Sequence, residues 1–238
     1  MITSLDNKTV KQLTKLHQKK YREDSFLLCD PELINEAHEH GYLKMLVYCN
    51  RKPFEFDNCL EVSKEVLCKI AKKEDIDYIG VSSLINDEDD YGDRIVILDH
   101  LQDPLNIGRI MEVCGLFGFD SLILSENCAD IYNEKCLDNC KGNLYRLKIA
   151  HKELLSEIKK LQDKGYTVYA TGLRNNTKEL YEIKRKEKIA VILGNEGSGV
   201  REEVMDACDE IIKIDMENID SLNVGMAASI ILYYFNNI

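Results

Sequence analysis

Two charges of opposite sign stand one turn apart in DPLNIGRIMEVCGLFG, residues 103–118: Arg109 on the first turn of a helix opening at Pro104, and Glu112 on the next. Residues three apart on a helix share roughly one face, so both side chains reach toward whatever that face meets. A second block, IAVILGNEGSGVREEV, sets glycines at 194, 197 and 199 between a buried strand and a helix. Such a turn lets backbone N–H groups and a helix N-terminus approach a ligand closely. The third block, DMENIDSLNVGMAAS, places Ser221 and Asn223 at the mouth of an otherwise apolar helix, where both suit capping, Ser221 better than Asn223.

The glycine spacing narrows the choice of ligand. It reads G-x-x-G-x-G, not the dinucleotide G-x-G-x-x-G, and it lacks the Lys-Ser/Thr of a phosphate-binding loop. Asp215, ending the next strand, stands where a ribose-binding acid would in a nicotinamide-type fold. Only one helix follows it, however, so a second half of that fold cannot be built. A tight turn with no ligand is the remaining alternative for this loop taken by itself.

The elements needed to position these blocks alternate between strand and helix. RIVILD and IAVILG are continuous apolar runs, the mark of strands buried on both faces. DSLILS, TVYATG and EIIKID supply further strands, with helices predicted over about 152–164 and 201–208. The closing SLNVGMAASIILYYF is apolar nearly all round and must be covered on more than one side, with Tyr233, Tyr234 and Phe235 offering aromatic surface to a second copy. Upstream, an amphipathic helix over Val10–Tyr21 leads to the strands FLLC and KMLVYC. A strand, a helix capped by Ser63 and another strand follow in CLEVSKEVLCKIAKKEDIDYIGVSSLI. NDEDDYGD has nothing to bury and reads as an extended acidic linker. The expected organisation is an α/β domain over 1–85, a linker over 86–94 and a parallel-sheet domain over 95–238.

At 238 residues either one large domain or two modest ones can bury a core. With 45% hydrophobic and 31% charged residues the composition is that of a soluble globular protein. No stretch approaches the roughly 18 apolar residues of a membrane span, and MITSLDNKTVKQLTK lacks a secretory apolar run, so a cytoplasmic protein with no membrane partner is expected. Its nine cysteines are then free thiols, and Cys136 and Cys140, without a histidine or a second cysteine pair beside them, predict no metal site. A net charge of −11 argues against a general nucleic-acid binder. Yet Lys8, Lys11, Lys15, Lys19, Lys20 and Arg22 fall in KTVKQLTKLHQKKYR without one acid, either a solvated face or a local phosphate-binding stripe.

Taken together and in order, the three blocks resemble the SpoU (TrmH-like) family of SPOUT-class RNA ribose 2′-O-methyltransferases. The likeness is close over roughly residues 95–235 and looser in the N-terminal part, which is similar to the family's RNA-substrate-binding domain. It implies a smaller N-terminal α/β domain and a parallel sheet whose last segment threads a trefoil knot, an exception to unknotted topology. It implies S-adenosylmethionine as cofactor, rRNA or tRNA as partner, a homodimer and no metal. Cofactor contacts would come from Thr171, Leu193, Gly194, Asn195, Gly197, Ile214, Met216 and Leu222, and catalytic roles from Asn106, Glu196, Ser221 and Asn223. RNA would meet Lys11, Lys19, Lys20 and Arg22.

Counted from Gly118, Glu112 occupies the place of the family's catalytic arginine, so Arg109 is the candidate to take over that role. Further departures are Asp215 and Asn218 at the family's proline and glycine, and Cys140 at a serine, each expected close to the site. Two outcomes are open: a working methyltransferase, or a relative that binds the cofactor and RNA without methylating.

Overall fold

A computed structural model describes residues 1–174, 176–217 and 222–237, and these fall into two compact units. Unit 1 holds residues 1–85 together with 132–145, and unit 2 holds 86–131 and 146–238.

In unit 1 the strands β1 (Ser25–Leu28), β2 (Leu43–Tyr48), β3 (Cys59–Glu61) and β4 (Tyr78–Ser83) form a mixed sheet in the order β1-β4-β2-β3. Only the β2–β3 pair is parallel. Helices α1 (Lys8–Lys15) and α3 (Lys64–Ala71) cover one face, their Val10, Leu13, Val66, Leu67 and Ile70 packing with Leu27, Val47 and Ile79 of the sheet. α3 is capped by Ser63, whose hydroxyl accepts the Val66 N–H. α2 (Pro31–Glu39) is capped by Asp30 and begins with a proline at its first turn, where no N–H is needed.

Two expectations are corrected here. The helix read over Val10–Tyr21 closes at Lys15, because the Arg22 guanidinium takes the Leu16 and His17 carbonyls that a longer helix would use. The chain then makes a single 3₁₀ turn, Lys19–Tyr21. The 95–238 domain also lends a segment to unit 1. Residues 132–145, with the short helix α5 (Glu134–Leu137), pack there because Tyr132 stacks on Phe26 and bonds the Ile85 N–H. Tyr145 stacks on Tyr42 and donates to Ser82 at 2.7 Å.

Unit 2 is a seven-stranded sheet in the order β7-β6-β5-β10-β8-β11-β9, and every neighbouring pair is parallel. Its strands are β5 (Arg94–Asp99), β6 (Ser121–Leu124), β7 (Lys148–His151), β8 (Thr167–Thr171), β9 (Lys178–Glu179), β10 (Ile189–Gly194) and β11 (Glu210–Lys213). β10 is buried along its whole length, as its unbroken apolar run requires. Helices α6 (Leu154–Asp163) and α7 (Glu202–Ala207) cover one face through Leu154, Ile158, Leu161 and Val204. α4 (Pro104–Leu116) and α8 (Val224–Asn236) pack on each other, and Phe235 of α8 stacks on Tyr169 of β8.

The acidic segment 86–93 is not a free linker. Glu88 donates its N–H to Ile149 of β7, Asp87 bonds His151, and Asp89 bonds Lys152 at 2.6 Å, so its carboxylates are met by side chains at the end of an edge strand. Among the described residues no helix is long and apolar enough to cross a membrane.

From β5 the chain builds outward through β6 to β7, then crosses to β8 on the other side, leaving β10 to fill the gap. Such a reversal opens a crevice beyond the carboxyl ends of the strands. Native-state hydrogen exchange tests the division of the chain. Amides of residues 136–144 are expected to open with the β1–β4 sheet in mild denaturant; opening together with β5 and β10 would contradict the division.

Candidate active site

The carboxyl ends of β5, β8, β10 and β11 carry the residues the sequence singled out. Gly194 ends β10, and the loop after it folds back at once: Asn195 and Gly199 exchange two backbone hydrogen bonds. A Cβ at Gly194 would overlap the Gly199 carbonyl carbon and the Val200 nitrogen, so only glycine fits. Gly199 closes the loop at φ +73°, in the left-handed region. Asn195 holds the loop from within, its Oδ1 accepting the Gly197 and Ser198 N–H groups and its Nδ2 donating to the His100 carbonyl at 2.8 Å.

Glu196 then reaches across to α4. Its carboxylate accepts from the Gln102 N–H at 3.2 Å, the Asp103 N–H at 3.1 Å and the Asn106 Nδ2 at 3.1 Å. Asn106, 3% exposed, uses its other end to accept from Asn223 Nδ2 at 3.2 Å. Asn223 is the N-cap of α8, its Oδ1 accepting the Gly225 and Met226 N–H groups. The cap therefore falls on Asn223. Ser221, expected as the better cap, lies outside the described residues, as does Asn218. One hydrogen-bonded chain thus joins all three blocks, with an anion at the first turn of α4, where the helix dipole favours it.

Desolvation alone raises the Glu196 carboxyl, but hydrogen bonds from its own backbone and from Asn106, Asp103 and Gln102 outweigh it, and its pKa lies below the ordinary glutamate value. A carboxylate so held is a poor proton acceptor near neutrality. Its geometry is that of a brace.

A cavity of about 240 Å³ opens beside this chain. All eight residues expected to contact the cofactor line it: Thr171, Leu193, Gly194, Asn195, Gly197, Ile214, Met216 and Leu222. The Thr171 hydroxyl is fixed by donating to the Ile192 carbonyl. Sequence reading missed part of the lining, namely Gly172, Leu173 and the α8 residues Val224, Ala227 and Ile231. The small Ala227 in a run of large apolar residues was the available signal. Among the described residues one basic side chain, Lys213, lines the cavity, and its ammonium is paired with Glu179 at 2.7 Å.

Sequence reading also missed Asp99 and Arg201. Asp99 ends β5 fully buried and accepts both the backbone N–H and the Nε of Arg201 at 2.9 Å, which anchors the far end of the glycine loop. His100, next in the chain, is held at φ +57° while its N–H bonds Ser125 and its carbonyl takes Asn195. A non-glycine residue held there by its surroundings is uncommon, and such residues concentrate at functional sites.

Arg109 is exposed on α4, and its stem lies against Gly225 in the first turn of α8, beside Asn223. Glu112 is half-buried one turn further from the strand ends. Neither has an ion-pair or hydrogen-bond partner among the described residues. Cys140, expected near the site, is instead buried in unit 1, its thiol donating to the Leu137 carbonyl and pushed up to about 12 by burial. Of the residues expected at RNA, Lys19 and Lys20 are exposed and unpaired among the described residues. Lys11 pairs with Asp6, and Arg22 is committed to the Leu16 and His17 carbonyls. No group of three metal-ligating side chains occurs among the described residues, and none of the nine cysteines is in a disulfide.

The family model of the SpoU rRNA Methylase family matches residues 93–233, more than half of the chain. The chain belongs to that family. Over 98% of its length it is 28% identical to the 23S rRNA (guanosine(2553)-2′-O)-methyltransferase RlmP of Bacillus subtilis (strain 168), covering 98% of that protein. An AdoMet-bound rRNA methyltransferase from Sinorhizobium meliloti shares its fold with a TM-score of 0.89 at 24% identity, over 99% of this chain and 97% of that one. The SpoU methyltransferase AviRb from Streptomyces viridochromogenes does so with a TM-score of 0.87 at 20% identity, over 97% of each. The parallel α/β fold expected of a SpoU methylase is therefore the fold found.

The brace makes a prediction for this family member. Because the folded Glu196 carboxyl sits below its ordinary value, its stabilisation is full above the normal glutamate range and is lost as pH falls through the lowered value. Glu196→Gln should lower the melting temperature at neutral pH, and the gap from wild type should narrow as the pH drops below about 4.5. An equal gap at every pH would show that the charge is not what matters.

Proposed function

We propose that the protein transfers a methyl group from S-adenosylmethionine to a ribose 2′ oxygen of rRNA or tRNA, in the cytoplasm. The observation that carries this reading is the convergence of three separate sequence blocks on one cavity through the Glu196–Asn106–Asn223 hydrogen bonds. The cavity suits the cofactor: its rim is the bare backbone of the glycine loop, and its wall is the apolar Leu193, Val224, Ala227 and Ile231. Backbone N–H and carbonyl groups at Gly194, Ile214 and Leu222 match a neutral adenine edge and a methionine stem. When bound, the cofactor supplies a methyl group on a sulfonium, so no metal is needed. A trefoil knot closing the site belongs to the same reading.

The chain's part in the reaction is positioning, which accounts for most of the rate where two reactants are held in line. Glu196 and Asn106 fix the start of α4, and Asn223 fixes the start of α8. Arg109, standing between those two helix starts with its guanidinium uncommitted among the described residues, holds the phosphate beside the attacking ribose. A cation there is worth on the order of 4 kcal/mol at an effective dielectric near 20 and a separation of about 4 Å. Glu112 lies one turn further along the helix, half-buried, about 4.5 Å on at 1.5 Å per residue.

The reading includes a homodimer. Met226, Ile230 and Tyr233, spaced along one face of α8, are 58%, 42% and 57% exposed, and Leu116 of α4 is 67% exposed. Tyr233 meets Phe117 edge to face, which joins the two helices into one apolar surface. The expected aromatic contribution is narrower than the sequence suggested. Phe235 is buried on Tyr169, and Tyr234 is half-buried and donates to the Ile183 carbonyl, leaving Tyr233 as the outward ring. Ile230→Asp is expected to convert a dimer into monomers in sedimentation; a wild-type monomer at micromolar concentration would remove the proposal.

Kinetics test the role of Arg109. Arg109→Ala should lower kcat by about a hundredfold or more, the scale of a lost transition-state contact, with S-adenosylmethionine affinity nearly unchanged. Retained turnover would show that another cation serves. If the wild type transfers no methyl group to RNA and Glu112→Arg creates the activity, the protein is instead the non-methylating relative.

A further inference from the structure

We propose that Tyr21, framed by Lys15, Lys19 and Lys20, is a stacking platform for an unpaired base of the RNA substrate; this rests on the RNA reading above. After α1 closes, the 3₁₀ turn Lys19–Tyr21 lifts the ring to the surface, where it is 39% exposed and contributes nothing to the unit 1 core. The Lys15 ammonium lies 5.2 Å from the ring centroid and that of Lys20 4.9 Å. Among the described residues none of Lys15, Lys19 and Lys20 meets a carboxylate, whereas Lys11 nearby is paired with Asp6. In a chain of net charge −11, three unpaired cations around one exposed ring are a local exception.

The turn is also rigid. Arg22 bonds the Leu16 and His17 carbonyls at 2.7 and 2.8 Å, and His17 Nε2 lies 2.7 Å from the Ile70 carbonyl of α3. A fixed aromatic face stacks any base, because every base has a π-face; the two ammonium groups that lie over the ring in the free protein swing from it to the flanking phosphates as the base takes their place. A duplex keeps its base faces covered, so the chemistry selects unpaired nucleotides. The residues flanking the turn, Leu16, His17 and Arg22, help to wall a cavity of about 370 Å³. Its carboxylates Asp30, Glu134 and Asp138 are balanced by Arg22, Lys72 and Lys135 in the same lining, so no excess of positive charge there competes with the lysines around the ring.

The test uses the full chain, with labelled single-stranded oligoadenylate and an RNA duplex of equal length followed by fluorescence anisotropy. Tyr21→Ala should weaken single-strand binding about 5- to 150-fold, the range of one lost base–aromatic stack. The salt slope should stay unchanged and the duplex should be little affected, and Tyr21→Phe should restore binding. Replacing Lys15, Lys19 and Lys20 by alanine should instead flatten the salt slope by about 2, at roughly 0.7 per phosphate contact on single strands. Because the ring is exposed, an unchanged melting temperature will confirm that Tyr21→Ala is folded.

Equal binding by Tyr21→Ala and wild type, an equal loss on duplex, no rescue by phenylalanine, or preference for polyglutamate over RNA would each overturn the platform. Methyl transfer to RNA separates this failure from that of the broader reading. An active wild type with an indifferent Tyr21 removes only the platform, and a wild type that neither binds nor methylates RNA removes both.

Discussion

The Glu196 carboxylate is the point on which the site depends. It belongs to the glycine loop after β10, yet all three of its cross-loop partners lie at the opening of α4. Two backbone N–H groups there, of Gln102 and Asp103, precede the regular helix and have no other acceptor among the described residues. An anion supplied from a neighbouring strand satisfies them, and the helix dipole favours it. Asn106 passes the constraint on to Asn223, and so to the first turn of α8. Loop, α4 and α8 are therefore not three ligand-binding segments that happen to be close; each is oriented by the next.

The sheet makes this possible. With β10 between β5 and β8, the carboxyl ends of three adjacent strands deliver Asp99, Thr171 and Gly194 to one edge. Asp99 and Arg201 hold the far end of the glycine loop as Glu196 holds its middle. The cavity is then bounded by backbone and apolar side chains on elements with little freedom to move. Its charged lining residues Glu196 and Lys213 are committed to Asn106 and Glu179, whereas Arg109 on the neighbouring surface stands free among the described residues. A site that holds a neutral, largely apolar cofactor edge and a phosphate-bearing substrate needs this separation, because a cation inside the cavity would draw the substrate into the wrong place.

Much of this was legible in the sequence. RIVILD and IAVILG could only be strands covered on both faces, and the glycine at 194 announced a close backbone approach that the structure places against Gly199 and Val200. What was hidden depended on partners remote in the chain. The segment 132–145 shows no apolar period, and its place in unit 1 is decided by Phe26 and Tyr42, more than a hundred residues upstream of their partners, and by Ser82, 63 residues upstream of Tyr145. The apolar spacing of Val10, Leu13 and Leu16 continued past Lys15, but nothing local said that Arg22 would claim the carbonyls. Capping propensity ranked Ser221 and Asn223 without knowing that an amide could cap α8 and bond Asn106 at once, which a hydroxyl cannot do so well.

The most direct measurement is a double-mutant cycle on the brace, using Glu196→Ala and Asn106→Ala singly and together, read in turnover and in S-adenosylmethionine affinity. If the two side chains act as one positioning unit, the double variant should lose little more than either single one, a coupling of about 1 kcal/mol or greater between contacting groups. Strictly additive losses would show that Glu196 and Asn106 act independently, and would contradict the account.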